Sequence, residues 1–161
     1  YTLKNFNVFL ITKILMPMKN AYLEMPVAAT FVLVMGAGYI VGGIKSAVIV
    51  GSFTLFIALT EWWDRALITA YMTTFGVLVS AIIGVFVGSI CAQYSLSTKI
   101  ILLICDTFQT FPSFIYLIPV MMLFGVTDTS VLIAVIVYAT IPATRYTVEG
   151  LRSVPPSLHD A

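Results

Sequence analysis

Charged residues are scarce in this chain. It has 8 lysines and arginines and 7 aspartates and glutamates, so that 9% of its 161 residues are charged, against roughly 25% in soluble domains. A soluble protein of this size has no interior large enough to hide a composition that is 60% hydrophobic. The net charge of +1 also excludes the basic field expected of a nucleic-acid-binding protein. We therefore predict an all-α, multi-pass membrane protein.

Residues suited to catalysis or metal binding are equally few. Cys91 and Cys105 fall in apolar runs without CxxC spacing, so we interpret them as buried apolar residues rather than a disulfide or a metal site. The one histidine, His159, is assigned no metal or catalytic role. A phosphate-binding loop is excluded, because Gly43 is followed by Ile44 where that motif requires lysine. We expect no enzyme activity, no cofactor and no bound metal.

Apolar segments predict about five membrane spans. Residues 1–24 carry a short apolar face interrupted by charge and are predicted to lie along the membrane surface, which leaves residues 25–161 as the transmembrane domain. The first two spans are separated only by Gly42 and Gly43, so a tight helical hairpin is expected. The five predicted spans are residues 26–43, 44–60, 67–92, 100–125 and 131–148, and the fourth is either one bent helix or two shorter ones.

Small residues recur every fourth position in the third predicted span. A spacing of four places residues along one face of a helix, and small side chains allow a second helix backbone to approach closely. We therefore predict a helix-packing stripe made of Gly76, Ser80, Gly84 and Gly88, continuing to Ala92. Before this span, the paired Trp62 and Trp63 indicate anchoring at the membrane interface, with a cation–π binding site as the alternative.

The stretch from residue 106 to 125 is apolar but opens with polar side chains. Asp106 and Gln109 have the spacing of a capping box, which predicts a helix that begins near Thr107. Arg145, in the last span, is interpreted as an interface residue, and a role inside the membrane is the alternative.

Two prolines lie within this stretch. Pro112 and Pro119 each remove a backbone donor, and in a continuous helix this frees the carbonyls of Phe108 and Ile115. A freed carbonyl is tolerated in a membrane only where protein or water satisfies it. We therefore predict that the helix faces a wet cavity or other helices, with a merely kinked packing helix as the alternative.

Residues 103–161 resemble a known family. The sequence DTFQTFPSFIYLIP at 106–119, MLFG at 122–125, the spaced motif PxxRxTxxGLRxVP at 142–155 and LxDA at 158–161 are similar to the permease subunit of bacterial ABC importers, of the glycine betaine/proline type. A weaker similarity extends back to Met25 and Pro26. The resemblance implies a helical bundle of the type I ABC importer kind in the inner membrane, with Tyr1 periplasmic and the C-terminus cytoplasmic.

The resemblance also implies function and partners. It implies import of glycine betaine or a related quaternary amine by alternating access, with a separate ABC ATPase subunit, a periplasmic or lipid-anchored substrate-binding protein and a second permease copy. Asp160 and Ala161 match the first two positions of the cytoplasmic loop that docks on the ATPase, with aspartate in place of glutamate. The residues expected to contact the ATPase are Ser157, Leu158, His159, Asp160 and Ala161.

The same resemblance implies where the solute passes. The residues expected along the translocation path are Asp106, Gln109, Thr110, Pro112, Tyr116 and Pro119. Aromatic faces attract quaternary amines, and the rings of Phe108, Phe111, Phe114 and Tyr116 either serve this purpose or only pack.

Two other functions remain open from the sequence. An ion-coupled secondary transporter would use Asp106 and Gln109 as coupling groups, and a structural membrane subunit would move no solute. Because the chain starts at Tyr1 and stops at Ala161, we also expect it to be a fragment of a longer permease.

Overall fold

The computed structural model describes residues 2–154, with side chains described from residue 5 onward except that of residue 6. This part of the chain is built from helices and contains no strand, which confirms the predicted all-α class. The elements are α1 (Thr2–Phe9), a π-helical segment (Leu10–Leu15), α2 (Met16–Leu23), α3 (Val27–Leu59), α4 (Trp63–Ala92), α5 (Ser95–Gln109), α6 (Phe114–Phe124) and α7 (Asp128–Arg152).

The number of spans differs from the predicted five. Within residues 2–154, α3, α4 and α7 are long and apolar enough to cross a membrane, and the bent pair of α5 and α6 makes four if it counts as one span. The difference arises in α3, where the sequence predicts two spans and the structure has a single element of 33 residues with a break inside it.

The break in α3 lies at Gly42 and Gly43. Gly43 has φ 68° and ψ −161°, a backbone conformation that essentially only glycine adopts. A Cβ built on Gly38 would lie 3.3 Å from the Cα of Ala47, although nine residues of straight helix would separate the two by roughly 13 Å. The element therefore folds back on itself, and the predicted hairpin is confirmed. Each arm has about 15 residues, fewer than the roughly 20 that a full span needs, so five spans is only approximate.

We expect the substitution Gly43→Ala to lower the free energy of unfolding by about 1–3 kcal/mol, because a Cβ strains this backbone conformation. Reversible unfolding in mixed detergent micelles measures the change. Gly36→Ala is the matched control, because a Cβ on Gly36 meets nothing within 4 Å and alanine favours helix over glycine by up to about 1 kcal/mol. Equal stability of the two variants would show that the hairpin turn tolerates a side chain.

The described chain divides into two compact units. One unit contains residues 12–72, and the other contains the described residues before 12 together with those after 72. In the first, the rings of Tyr22 and Tyr71 lie 6.4 Å apart at a tilt of 59°, so α2 packs against the beginning of α4. The second unit contains α5, α6 and α7, and it holds the polar side chains that the sequence analysis singles out.

Within the second unit, α4 packs against α7 at very short range. A Cβ built on Gly84 would overlap the Cβ of Ala143 and would lie 2.8 Å from the backbone nitrogen of Thr144. One turn later, a Cβ on Gly88 would lie 2.7 Å from the Cβ of Thr147. Both positions lack room for a side chain, so the two backbones approach as closely as small residues permit.

The same face of α4 carries a buried hydroxyl. Ser80 is almost fully buried, and its Oγ lies 2.6 Å from the carbonyl oxygen of Gly76 and 3.1 Å from that of Ile136. A hydrogen bond between helices supplements the contact of small residues in a membrane. The small-residue stripe of α4 thus lies against α7 from Gly76, whose Cβ position meets Val135, to Gly88.

Candidate functional site

The chain bends sharply between α5 and α6. α5 ends at Gln109, α6 begins at Phe114, and the two axes meet at 86°. The predicted helix start near Thr107 is therefore wrong, because Asp106 and Gln109 lie in the last turn of α5. The run of helix-compatible residues from Ser95 onward carries the helix through Asp106, whereas an N-cap residue needs a non-helical backbone.

Pro112 lies in this bend and not inside a helix. The carbonyl of Phe108 is consequently not left free, as a continuous helix would require, but accepts a hydrogen bond of 2.5 Å from the hydroxyl of Tyr116. This bond joins the end of α5 to the first turn of α6 and fixes the bend. Pro119, in contrast, lies inside α6.

Four aromatic rings, which we call the aromatic cluster, surround the bend. The ring of Phe108 lies 5.9 Å from Phe111, edge on, and 6.1 Å from Tyr116, nearly parallel. Tyr116 in turn lies 5.8 Å from Tyr138 of α7. Tyr116 is buried, and the other three rings are partly exposed. The cluster presents aromatic faces of the kind that attract organic cations.

A cavity of about 240 Å³ adjoins the aromatic cluster between α6 and α7. It shares Tyr138 with that cluster, and its other walls are apolar except for Ser113. The lining residues are Ser113, Phe114, Leu117, Val131, Ala134, Val135 and Tyr138. The bend therefore opens on one side to a space large enough for a small organic solute.

Arg145 of α7 brings the polar residues at the end of α5 together with Glu149 into a polar cluster. Its Nη1 forms an ion pair with Asp106 and lies 3.3 Å from Oε1 of Gln109, while its Nε donates to Glu149 at 2.9 Å. Asp106 and Gln109 are three residues apart and therefore lie on one face of α5. With one guanidinium and two carboxylates, the polar cluster has a formal charge of −1.

The predicted path residues thus occupy different parts of one region. Asp106 and Gln109 belong to the polar cluster, Tyr116 belongs to the aromatic cluster, and Thr110 and Pro112 lie in the bend. Pro119 lies further along α6. The five residues expected to contact the ATPase, Ser157, Leu158, His159, Asp160 and Ala161, lie outside the described residues.

Two members of this region are not among the predicted path residues. Arg145 is predicted to be an interface residue with a role inside the membrane as the alternative, and a charge within an apolar span is a signal for that alternative. Tyr138 has no predicted role, and the packing of α6 on α7 places its ring beside that of Tyr116.

A second arginine ties the other end of α5 to α7. Nη1 of Arg152 donates to Oγ1 of Thr98 at 2.9 Å and to the carbonyl oxygen of Ala92 at 3.2 Å. Because Asp106 near the end of α5 binds Arg145, α7 is bonded to α5 at two points. The two helices are therefore expected to move together when either moves.

Comparison with known proteins supports the sequence resemblance. Residues 84–161 match the family described as "binding-protein-dependent transport system inner membrane component", and this range includes both clusters. Together with the membrane-crossing helices, the match identifies a multi-pass inner-membrane protein, as predicted.

Three relatives illustrate the similarity. Over all of its 161 residues the chain is 69% identical to the trimethylamine N-oxide transport system permease protein TmoV of Pelagibacter ubique. It is 41% identical over 148 residues, 92% of its length, to the protein of the same name from Ruegeria pomeroyi. It is 33% identical over 99 residues, 62% of its length, to the glycine betaine/proline betaine transport system permease protein ProW of Escherichia coli. The chain spans only 22% of the length of each of the first two relatives and 28% of the third.

Proposed function

We propose that this chain, whose residues 84–161 match the family of binding-protein-dependent transport system inner membrane components, forms part of the membrane path of an ATP-driven importer for small methylated amines. The observation that carries this proposal is the bend between α5 and α6. There the aromatic cluster adjoins a cavity of about 240 Å³, and the polar cluster joins the end of α5 to α7, within an otherwise apolar chain.

The solute we propose first is trimethylamine N-oxide, with glycine betaine as a second substrate. The relatives with 69% and 41% identity are named for transport of the former, and the relative with 33% identity is named for transport of the latter. Both solutes carry a trimethylammonium group and an anionic oxygen, and the aromatic cluster attracts the first of these groups. The sequence resemblance, in contrast, implies glycine betaine or a related quaternary amine as the solute.

The partners follow from the family. A separate ABC ATPase subunit would bind and hydrolyse ATP, a substrate-binding protein would deliver the solute, and a second permease copy would complete the path. Since α7 is bonded to α5 through Arg145 and Arg152, displacement of the C-terminal end of α7 would be transmitted to the bend at Thr110 and Pro112. The path residues would then open alternately to the two sides of the membrane.

Uptake of radiolabelled trimethylamine N-oxide by cells that contain the complete transport system tests this proposal. We expect uptake to require both the gene for this chain and an active ATPase, so that mutating the ATP-binding lysine of the partner ATPase reduces uptake to background. Collapsing the proton and sodium gradients with ionophores, at constant cellular ATP, is expected to leave initial uptake rates nearly unchanged.

Two other outcomes contradict the proposal in different ways. Uptake that persists with the inactive ATPase but stops when the ion gradients collapse identifies a secondary transporter. A complex that assembles normally but moves no methylated amine under any condition identifies a structural subunit, or an importer of another solute class.

A further inference from the structure

The guanidinium of Arg145 is held on two of its three nitrogens. Nε donates to Glu149, and Nη1 contacts Asp106 and Gln109. A guanidinium has five N–H donors in a rigid plane, and Nη2 carries two of them with no partner among residues 2–154. Arg145 is a third exposed, with 33% of its side chain accessible. The contacts of Nε and Nη1 therefore fix the orientation of the guanidinium, and its Nη2 edge is free to bind an anionic oxygen.

The spacing along α7 brings Arg145 near the aromatic cluster. Tyr138 precedes Arg145 by seven residues of α7, which places both on one face and roughly 10 Å apart along the axis. Side chains of a helix lean toward its N-terminus, so the long side chain of Arg145 extends toward Tyr138. On α5, Phe108 directly precedes Gln109, which contacts Arg145. The polar and aromatic clusters are therefore close along the chain on both helices.

We propose that Arg145 determines the specificity for zwitterions. In this arrangement the Nη2 edge binds the anionic oxygen of the solute, while the trimethylammonium group lies against the faces of Phe108 and Tyr138. This inference rests on the proposed function and deepens it, because it assigns each end of the solute to its own group of residues. The solute class is a small zwitterion that carries both a methylated ammonium and an oxyanion.

The charge of the polar cluster supports this assignment. Asp106 and Glu149 give the cluster a formal charge of −1, which disfavours a simple anion that has no ammonium group to compensate. A simple organic cation gains the aromatic contact but makes no bond to Arg145. A zwitterion alone satisfies both clusters.

The test measures solute binding to the complete permease–ATPase complex in lipid nanodiscs, without the substrate-binding protein, by isothermal titration. The probes are trimethylamine N-oxide and tetramethylammonium, which share methylated nitrogen but differ in the oxyanion. We expect the wild type to prefer trimethylamine N-oxide by roughly tenfold or more, the effect of one hydrogen bond to a charged group. Equal affinities, or no saturable binding of trimethylamine N-oxide, overturn the inference without any variant.

Two variants separate the two ends of the solute. Arg145→Lys keeps the positive charge but removes the planar guanidinium. It is therefore expected to lower the affinity for trimethylamine N-oxide roughly tenfold and to leave the affinity for tetramethylammonium unchanged. Phe108→Leu is expected to lower the affinity for both probes by about two- to fivefold, since it removes an aromatic face. If Arg145→Lys weakens both probes equally, Arg145 only supports the structure and the inference is wrong.

Failure of this inference is distinguishable from failure of the proposed function. If cells import trimethylamine N-oxide in an ATPase-dependent manner while the complex binds both probes equally, only the role of Arg145 is refuted. If cells import no methylated amine at all, the proposed function is refuted as well.

Discussion

Replacing Asp106 with asparagine is expected to reduce uptake to near background, whereas Glu149→Gln is expected to retain most of it. Both carboxylates bind the same guanidinium of Arg145, but they differ in what they join. Asp106 lies on α5 and links it to α7, 39 residues further along the chain. Glu149 lies one turn beyond Arg145 on the same helix, where such pairs contribute little. Loss of Asp106 therefore removes the charged link between the end of α5 and α7 and leaves only the bond of Gln109 to Arg145 there, while loss of Glu149 leaves the charged link in place.

The two variants are matched controls for each other. Each removes one negative charge beside Arg145 and replaces a carboxylate with an amide of nearly equal size. Initial uptake rates, normalised to the amount of assembled transporter, give the functional comparison, and the apparent melting temperature of the purified complex gives the structural one. Equal losses in both variants would show that the charge of the polar cluster matters, rather than the connection between α5 and α7. A fully active Asp106→Asn would show that the ion pair is dispensable.

The parts of the fold that the sequence predicts correctly depend on local signals. Gly42 and Gly43 predict the turn of the α3 hairpin because no other residue adopts the backbone conformation of Gly43 so readily. The apolar composition and the length of the hydrophobic runs predict a helical membrane protein, because a continuous apolar run of sufficient length can cross the bilayer as a helix. In each case the residues that determine the structure are neighbours in the sequence.

The errors occur where distant parts of the chain decide the structure. The capping-box spacing of Asp106 and Gln109 is a weak pattern, and here their side chains bind Arg145 instead of capping a helix. Pro112 breaks a helix, but nothing in the sequence indicates that the hydroxyl of Tyr116 satisfies the carbonyl of Phe108. The position of Tyr138 in the aromatic cluster depends on how α6 and α7 pack, which local spacing does not specify.

Gly84→Ala is expected to destabilise the contact between α4 and α7 more than a glycine-to-alanine substitution at any other position of the small-residue stripe. A Cβ on Gly84 would overlap the Cβ of Ala143 and would lie 2.8 to 2.9 Å from backbone atoms of Ala143 and Thr144. Backbone atoms of a packed helix cannot move aside individually, so the two helices must separate. Overpacking of this kind costs about 1–3 kcal/mol, and Gly84→Val adds more atoms at the same point.

The other glycines provide a graded series for this measurement. Gly88→Ala also approaches backbone, since its Cβ would lie 2.9 Å from the carbonyl oxygen of Thr144, whereas Gly76→Ala meets chiefly the side chain of Val135, at 2.7 Å. Gly150→Ala is the matched control on α7, because its Cβ would meet nothing within 4 Å. The free energy of unfolding in mixed micelles is expected to fall most for Gly84, less for Gly88 and least for Gly76, with no loss for Gly150.

Because Ala143 and Thr144 directly precede Arg145 in α7, a separation at Gly84 also displaces the polar cluster. We therefore expect uptake to fall in the same order as stability, and a destabilised Gly84→Ala with unchanged uptake would show that the position of Arg145 does not depend on this contact.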